Sequence, residues 1–306
     1  MADIQNIDAP ERICIYLDDD ATHNTVRFLN NLSVIARFKP VCINMQSVKY
    51  VSGGAGLVFF AHVNALQLFH QNANWITFKF PKKKSNPEGY DYVVQRGLAR
   101  ALLSGSEKAL ATLSSSSFPL QSSNSPDTHA PLLIDKLSTT LGLPKSHDFV
   151  LTVNTAVNEA MLNVCQHAYI DVGNDFFDGV LKNRWWQLAI YNESKGEFIF
   201  LIYDLGVGLA ESYHRSLDEK KAPQHVFEEA LCHGFSRFSR EQPWRGNGSE
   251  DMKHPVESNE SLFIWCNNMK YLFRGHDVQA VIQPTIVNLR GTLVEWSLKL
   301  AQGESV

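Results

Sequence analysis

Asn158-Glu-Ala-Met-Leu-Asn-Val-Cys-Gln-His-Ala-Tyr169 is the stretch around which the rest of the chain is organised. The apolar residues Val153, Val157, Met161, Val164 and Ala168 recur at three- and four-residue spacing, which predicts the second half of an amphipathic helix beginning near Ser146. Glu159, Asn163 and His167 then stand at i, i+4 and i+8, each one turn above the last. Carboxylate and amide oxygens are hard ligands suited to Mg²⁺, so such a stripe is able to hold a hydrated metal ion and orient a water. The solvated face of an ordinary amphipathic helix is the competing reading.

At 306 residues the length suggests two domains, and 44% hydrophobic with 20% charged residues is ordinary for a globular protein. A formal net charge of −4 argues against broad nucleic-acid binding, and the small basic cluster Pro81-Lys-Lys-Lys84 reads as a solvated turn. Five scattered cysteines, with no Cys-x-x-Cys spacing, argue against both a disulfide framework and a zinc site and fit a reducing compartment. The N-terminal residues lack the basic and apolar regions of a signal peptide, and no window is apolar for long enough to cross a bilayer. The expectation is a cytoplasmic protein without a membrane partner.

In chain order, Arg12 to Leu17 reads as a buried strand ending at Asp18-Asp-Asp20, which also caps the helix that follows from Thr22 to Arg37. Val41 to Met45 is a second strand, Ser52 to Gly56 a flexible turn, and Leu57 to Phe69 an apolar helix. Trp75 to Phe80 and Tyr90 to Leu103 repeat the strand–helix alternation, which implies an α/β layer. Over residues 1–104, Val51-Ser-Gly-Gly-Ala-Gly-Leu57 and the helix after it resemble STAS domains. Many members carry a phosphorylatable hydroxyl in this turn. Here Gly54 stands at the expected acceptor position, so the resemblance implies a binding role without that switch, and glycine serves positive φ or close packing.

Residues 105–130, with Ser114-Ser-Ser-Ser117 and few large apolar residues, read as a Ser-rich linker in which Glu107 to Leu113 extends a helix. From 131 to 306 the order is a helix over Pro131 to Leu143, the long helix already described, and two strands, Trp185 to Tyr191 and Glu197 to Tyr203, joined by a polar turn. Asp204-Leu-Gly-Val-Gly208 follows the second strand directly.

Asp204-x-Gly206-x-Gly208, downstream of Glu159-x-x-x-Asn163, resembles the GHKL family of ATP-binding domains. Arg245-Gly246-Asn-Gly248 is similar to that family's second glycine box, although Ser249 replaces the usual leucine, and Arg290-Gly-Thr292 is similar to its final Gly-Thr. The resemblance implies a Bergerat-type α/β sandwich with a mixed sheet, with ATP and Mg²⁺ as cofactors. It implies that Asn163 is the metal ligand, that Glu159 orients or deprotonates the nucleophile, and that Asp204 accepts from the adenine amino group. Gly206, Gly208, Gly246, Gly248 and Arg245 would surround the nucleotide, with Thr292 near the adenine and His167 near the phosphates.

The segment from Leu209 to Trp244, with Phe227 to Phe238, Arg237 and Arg240, corresponds to the ATP lid. His167-Ala-Tyr169 resembles the ending found in anti-sigma-factor kinases. The expectation is therefore a regulatory ATP-binding protein, an ATPase or ATP-driven switch. The alternatives are a Ser/Thr protein kinase acting on a separate partner and a non-catalytic nucleotide-binding scaffold. The resemblance implies a regulatory protein partner of the sigma or anti-sigma kind and allows a homodimer.

Overall fold

A computed structural model gives a mixed α/β fold and describes residues 4–169, 179–214, 221–231 and 248–300. The chain divides into two compact units, Met1–Ser122 with Asp175–Lys182, and Ser123–Asn174 with Asn183–Val306.

In the first unit the order is β1 (Gln5–Asp8), β2 (Arg12–Ile13), α1 (Asp19–Ala36), β3 (Val41–Asn44), β4 (Tyr50–Val51), α2 (Gly53–Phe69) and β5 (Ile76–Lys79). Then come α3 (Pro87–Tyr90), α4 (Leu98–Leu102) and α5 (Glu107–Ser114). β1, β3 and β5 form a parallel sheet in that order, and parallel neighbours require crossover connections, which α1 and α2 supply. Asp18 caps α1 by accepting from the Ala21 amide.

Three local expectations are corrected. The first sheet strand is β1, not the run Arg12 to Leu17, of which only Arg12–Ile13 pairs, with β4. β1 is a polar edge strand held by backbone hydrogen bonds, so it carries no apolar signature. Ile13, Cys14 and Ile15 are buried by packing instead, with the Cys14 amide donating to Thr25 Oγ1. The helix expected over Tyr90 to Leu103 is broken by a π turn at Asp91–Gln95 and by Gly97 at φ +91°. The turn Ser52 to Gly56 is the first turn of α2, capped by Ser52, and a Cβ on Gly54 would fall 2.1 Å from Tyr16 Oη; close packing, not positive φ, explains the glycine.

In the segment read as a linker, residues 105–130, the chain is regular. α5 is followed by β6 (Leu120–Ser123), and α6 (Pro126–Leu141) starts before Pro131. Serine hydroxyls do what apolar residues do elsewhere: Ser114 Oγ donates to the Ser122 carbonyl, and the buried Gln121 amide donates to three carbonyls of residues 113–116.

The second unit continues with α7 (Asp148–Asn163), β7 (Trp185–Asn192), β8 (Glu197–Asp204), α8 (Leu209–His214), α9 (Pro223–Ala230) and α10 (Gly248–Lys253). It ends with β9 (Ser261–Phe273) and β10 (Val281–Lys299). The sheet order is β6–β7–β8–β10–β9, and the pairs β7–β8, β8–β10 and β10–β9 are antiparallel. α6 and α7 lay Leu133, Leu137, Val157 and Met161 onto Trp185, Phe200, Ile202 and Trp296. Trp185 and Trp186 are both fully buried, so β7 is covered on both faces, which is why it reads as a continuous apolar run. Among the described residues, no helix is long and apolar enough to cross a membrane.

Candidate functional site

α7 starts two residues later than its apolar spacing suggests, at Asp148, where His147 Nδ1 accepts from the Phe149 amide. Its stripe of Val153, Val157, Met161, Val164 and Ala168 is buried as expected. Glu159 and Asn163 lie on the half-buried border of that face. The helix then widens into a π turn over Val164–Ala168, so His167, also half-buried, leaves the straight i, i+4 line.

Beside the middle of α7 lies the start of α10. A Cβ built on Gly248 would stand 2.8 Å from Glu159 Oε2, so the two positions are in contact although they are far apart in sequence. Burial raises the Glu159 carboxyl above its ordinary pKa, and the nearby Asp251 adds to the effect. Asn163 Nδ2 faces Met252 Sδ at 4.0 Å, and its amide oxygen has no hydrogen-bond partner among the described residues. α10 is fixed from two sides: Trp296 Nε1 donates to the Met252 carbonyl, and the buried Lys253 ammonium donates to Leu231 O and Glu250.

At the far end of the π turn lies the loop Leu205 to Gly208. The Val207 amide donates to Ala168 O at 2.8 Å, and a Cβ on Gly206 would fall 2.2 Å from the same oxygen, so only glycine fits. Tyr169 Oη donates to Arg184 O at 2.5 Å and accepts from the Leu205 amide at 3.1 Å, which ties the loop to the start of β7. Gly208 has φ +86°, and a Cβ there would meet Asn267 Oδ1 at 2.1 Å.

Asp204 is buried, and its Oδ1 accepts from the Gly206 amide at 2.7 Å. Thr292 is its register partner across β8 and β10 and donates to it through both amide and hydroxyl. Burial raises the carboxyl to about 7 from its ordinary 3.8, and these donors only partly offset that rise.

The loop has further supports that motif reasoning did not single out. Cys266 Sγ accepts from the Leu209 amide at 2.9 Å and lies 3.6 Å from the Thr292 hydroxyl oxygen. Asn267, at φ +54°, donates from Nδ2 to Val207 O. Arg290 Nε donates to Leu205 O, and Tyr203 Oη to Arg290 O at 2.6 Å. The available sequence signal is the polar pair Asn267-Asn268 inside an apolar strand, since asparagine is among the few residues that tolerate positive φ.

The structure thus brings Glu159, Asn163 and Gly248 together at one end of the site, and Asp204, Gly206, Gly208 and Thr292 at the other. Arg245, Gly246, Arg237 and Arg240 lie outside the described residues. Of the segment read as a lid, α9 is a core element, because Val226 and Phe227 are fully buried. Comparison with models of protein families, with curated proteins and with solved structures finds no significant match.

Proposed function

We propose that the chain is a regulatory ATP-binding protein with Mg²⁺-dependent ATPase or ATP-driven switch activity, whose nucleotide lies along α7 and the loop Asp204 to Gly208. One observation carries this reading. Two glycine segments, one at Gly248 and one at Gly206–Gly208, are packed against successive parts of the same helix, where a side chain at either would strike Glu159 or Ala168. Glycine at both places lets the backbone come close to a bound ligand without a Cβ in the way.

The donor set fits the implied cofactor. Asn163 offers an amide oxygen with no hydrogen-bond partner among the described residues, a hard ligand for Mg²⁺. Among the described residues no cluster of three or more His, Cys, Asp or Glu is placed to hold a metal, and Asn163 would be the residue that holds Mg²⁺ there. When bound, Mg²⁺ supplies charge neutralisation at the phosphates. Glu159, one turn before Asn163, has its pKa raised by burial, which suits a group that orients and deprotonates a water. The Asp204 carboxylate accepts from the base, with the first unit or a separate protein as the responder to ATP state.

Isothermal calorimetry and thermal melting with Mg-ATP at about 1 mM test the binding step, since a ligand at a hundred times its Kd adds roughly 2.7 kcal/mol of stability. Binding heat, a raised Tm and slow release of inorganic phosphate are expected. No heat and no Tm change would overturn the reading.

A further inference from the structure

The backbone of the loop after β8 is held from other elements. The Leu205 amide donates to Tyr169 Oη and the Val207 amide to Ala168 O, while Leu205 O accepts from Arg290 Nε and Val207 O from Asn267 Nδ2. Both amides therefore hang from the last residue of the π turn and the residue after it. Gly206 closes the same joint, since a Cβ there would fall 2.2 Å from Ala168 O. Glu159 and Asn163 stand near the end of α7, just before that turn. Tyr169 joins three segments through one atom: its hydroxyl donates to Arg184 O at 2.5 Å, ahead of β7, and accepts from the Leu205 amide at 3.1 Å. A hydroxyl does both at once, whereas a phenylalanine ring of the same shape would leave that amide and that carbonyl without this partner.

We propose that Tyr169 is a positioning residue that latches the loop Leu205 to Gly208 to the end of α7, fixing the separation between the loop end of the site and the metal end at Glu159 and Asn163. This inference rests on the nucleotide-site reading above. With the latch in place, a nucleotide that spans both ends meets a frame already ordered, and little further ordering opposes its binding. Without the hydroxyl, the loop has to be ordered by the ligand itself. The metal end keeps its own supports, because Trp296 Nε1 holds the Met252 carbonyl and Lys253 holds Leu231 O, which fix α10 beside α7. Loss of the latch therefore weakens the hold on the nucleotide and spares its dependence on Mg²⁺.

The test compares the full chain with Y169F, its fold checked by circular dichroism, in calorimetric titrations with ATP in the presence of Mg²⁺ and in the presence of EDTA. Y169F is expected to bind Mg-ATP about tenfold or more weakly, the scale of one lost pair of hydrogen bonds. The factor by which Mg²⁺ strengthens ATP binding is expected to stay within about twofold of that of the unmodified protein. Equal Mg-ATP affinity in the two proteins overturns this inference and leaves the nucleotide site standing. A fall in affinity that also abolishes the Mg²⁺ factor overturns it too, since the hydroxyl then supports the whole site and does not position the loop. Hydrogen exchange of the unmodified protein decides the matter if Y169F does not fold. Mg-ATP is expected to slow exchange over residues 164–169 and 205–208 together, and slowing in one segment alone overturns the inference. No heat and no change in exchange with Mg-ATP in the unmodified protein overturns the nucleotide site and this inference together.

Discussion

Thr292 stands directly opposite Asp204 in the antiparallel pair of β10 and β8 and donates to its carboxylate through both the main-chain amide and the side-chain hydroxyl. Beside them, Gly291 takes φ +80°, and a Cβ there would fall 2.0 Å from Asp204 O. The two strands therefore approach closely at the site, where only glycine fits at position 291.

The pH dependence of stability contains two opposing contributions. Asp204 has a folded-state pKa raised from 3.8 to about 7, so its contribution is full below pH 3.8 and is lost as pH rises through 7. His129, buried against Gln187, is lowered from 6.5 to about 4, chiefly by burial, so its contribution is full above pH 6.5 and is lost as pH falls through 4. At roughly 1.36 kcal/mol per pH unit these amount to about 4 and about 3 kcal/mol, and they nearly cancel between pH 4 and 6.5. Urea unfolding across that range should show D204N gaining stability with rising pH relative to the wild type and H129Q losing it. Parallel profiles for the three proteins would contradict both assignments.

Two glycine substitutions separate crowding from backbone strain. Gly206→Ala drives a methyl against the Ala168 carbonyl, which is backbone and cannot swing aside. Gly142→Ala, at φ +68° in the C-cap of α6 with nothing within 4 Å, meets only the cost of the left-handed conformation, about 1 kcal/mol. Gly206→Ala should cost about 2 kcal/mol or more beyond that in chemical denaturation. Equal losses would mean that the loop yields.

Glu159 and Asn163 should behave differently when removed. Glu159→Ala is expected to leave ATP affinity nearly unchanged and to slow phosphate release by about a hundredfold or more, the scale of a lost general base. Asn163→Ala should instead lose Mg²⁺-dependent affinity. Single-turnover kinetics with calorimetry reads both, and unchanged turnover in Glu159→Ala would leave ATP binding without a catalytic role for this carboxylate.

Thiol labelling should be graded by burial. Cys266 is buried, with its thiol pushed up to about 12, and Cys14 is buried as well, so both should resist iodoacetamide at pH 8 until denaturant is added. Cys42 and Cys165 are half-buried, and burial followed by Asp127 raises the Cys165 thiol, so among the cysteines of the described residues Cys42 should label before Cys165. Mass spectrometry of the native protein checks the order, and early labelling of Cys266 would show that the loop at Leu209 opens.

What the sequence determined by itself was local. The three- and four-residue spacing from Val153 to Ala168 settles which face of α7 is buried, because a helix repeats its faces every 3.6 residues whatever surrounds it. The apolar runs of β7 and β8 with the polar turn between them settle that hairpin in the same way. The pattern failed where burial or pairing was satisfied by other means: polar β1 on its sheet edge, and the serine-rich stretch that hydrogen-bonds its own backbone. It also failed for β9 and the first half of β10, where Asn267 and register shifts near Leu289 interrupt the alternation.

Only the tertiary structure decided that Gly248 touches Glu159, that Gly206 is pinned by Ala168, and that Thr292 faces Asp204. Glycines and an aspartate carry no label for the partner they will meet. The partner is fixed by the register of strands and the packing of helices that are far apart in the chain, and these follow from burying the whole core at once.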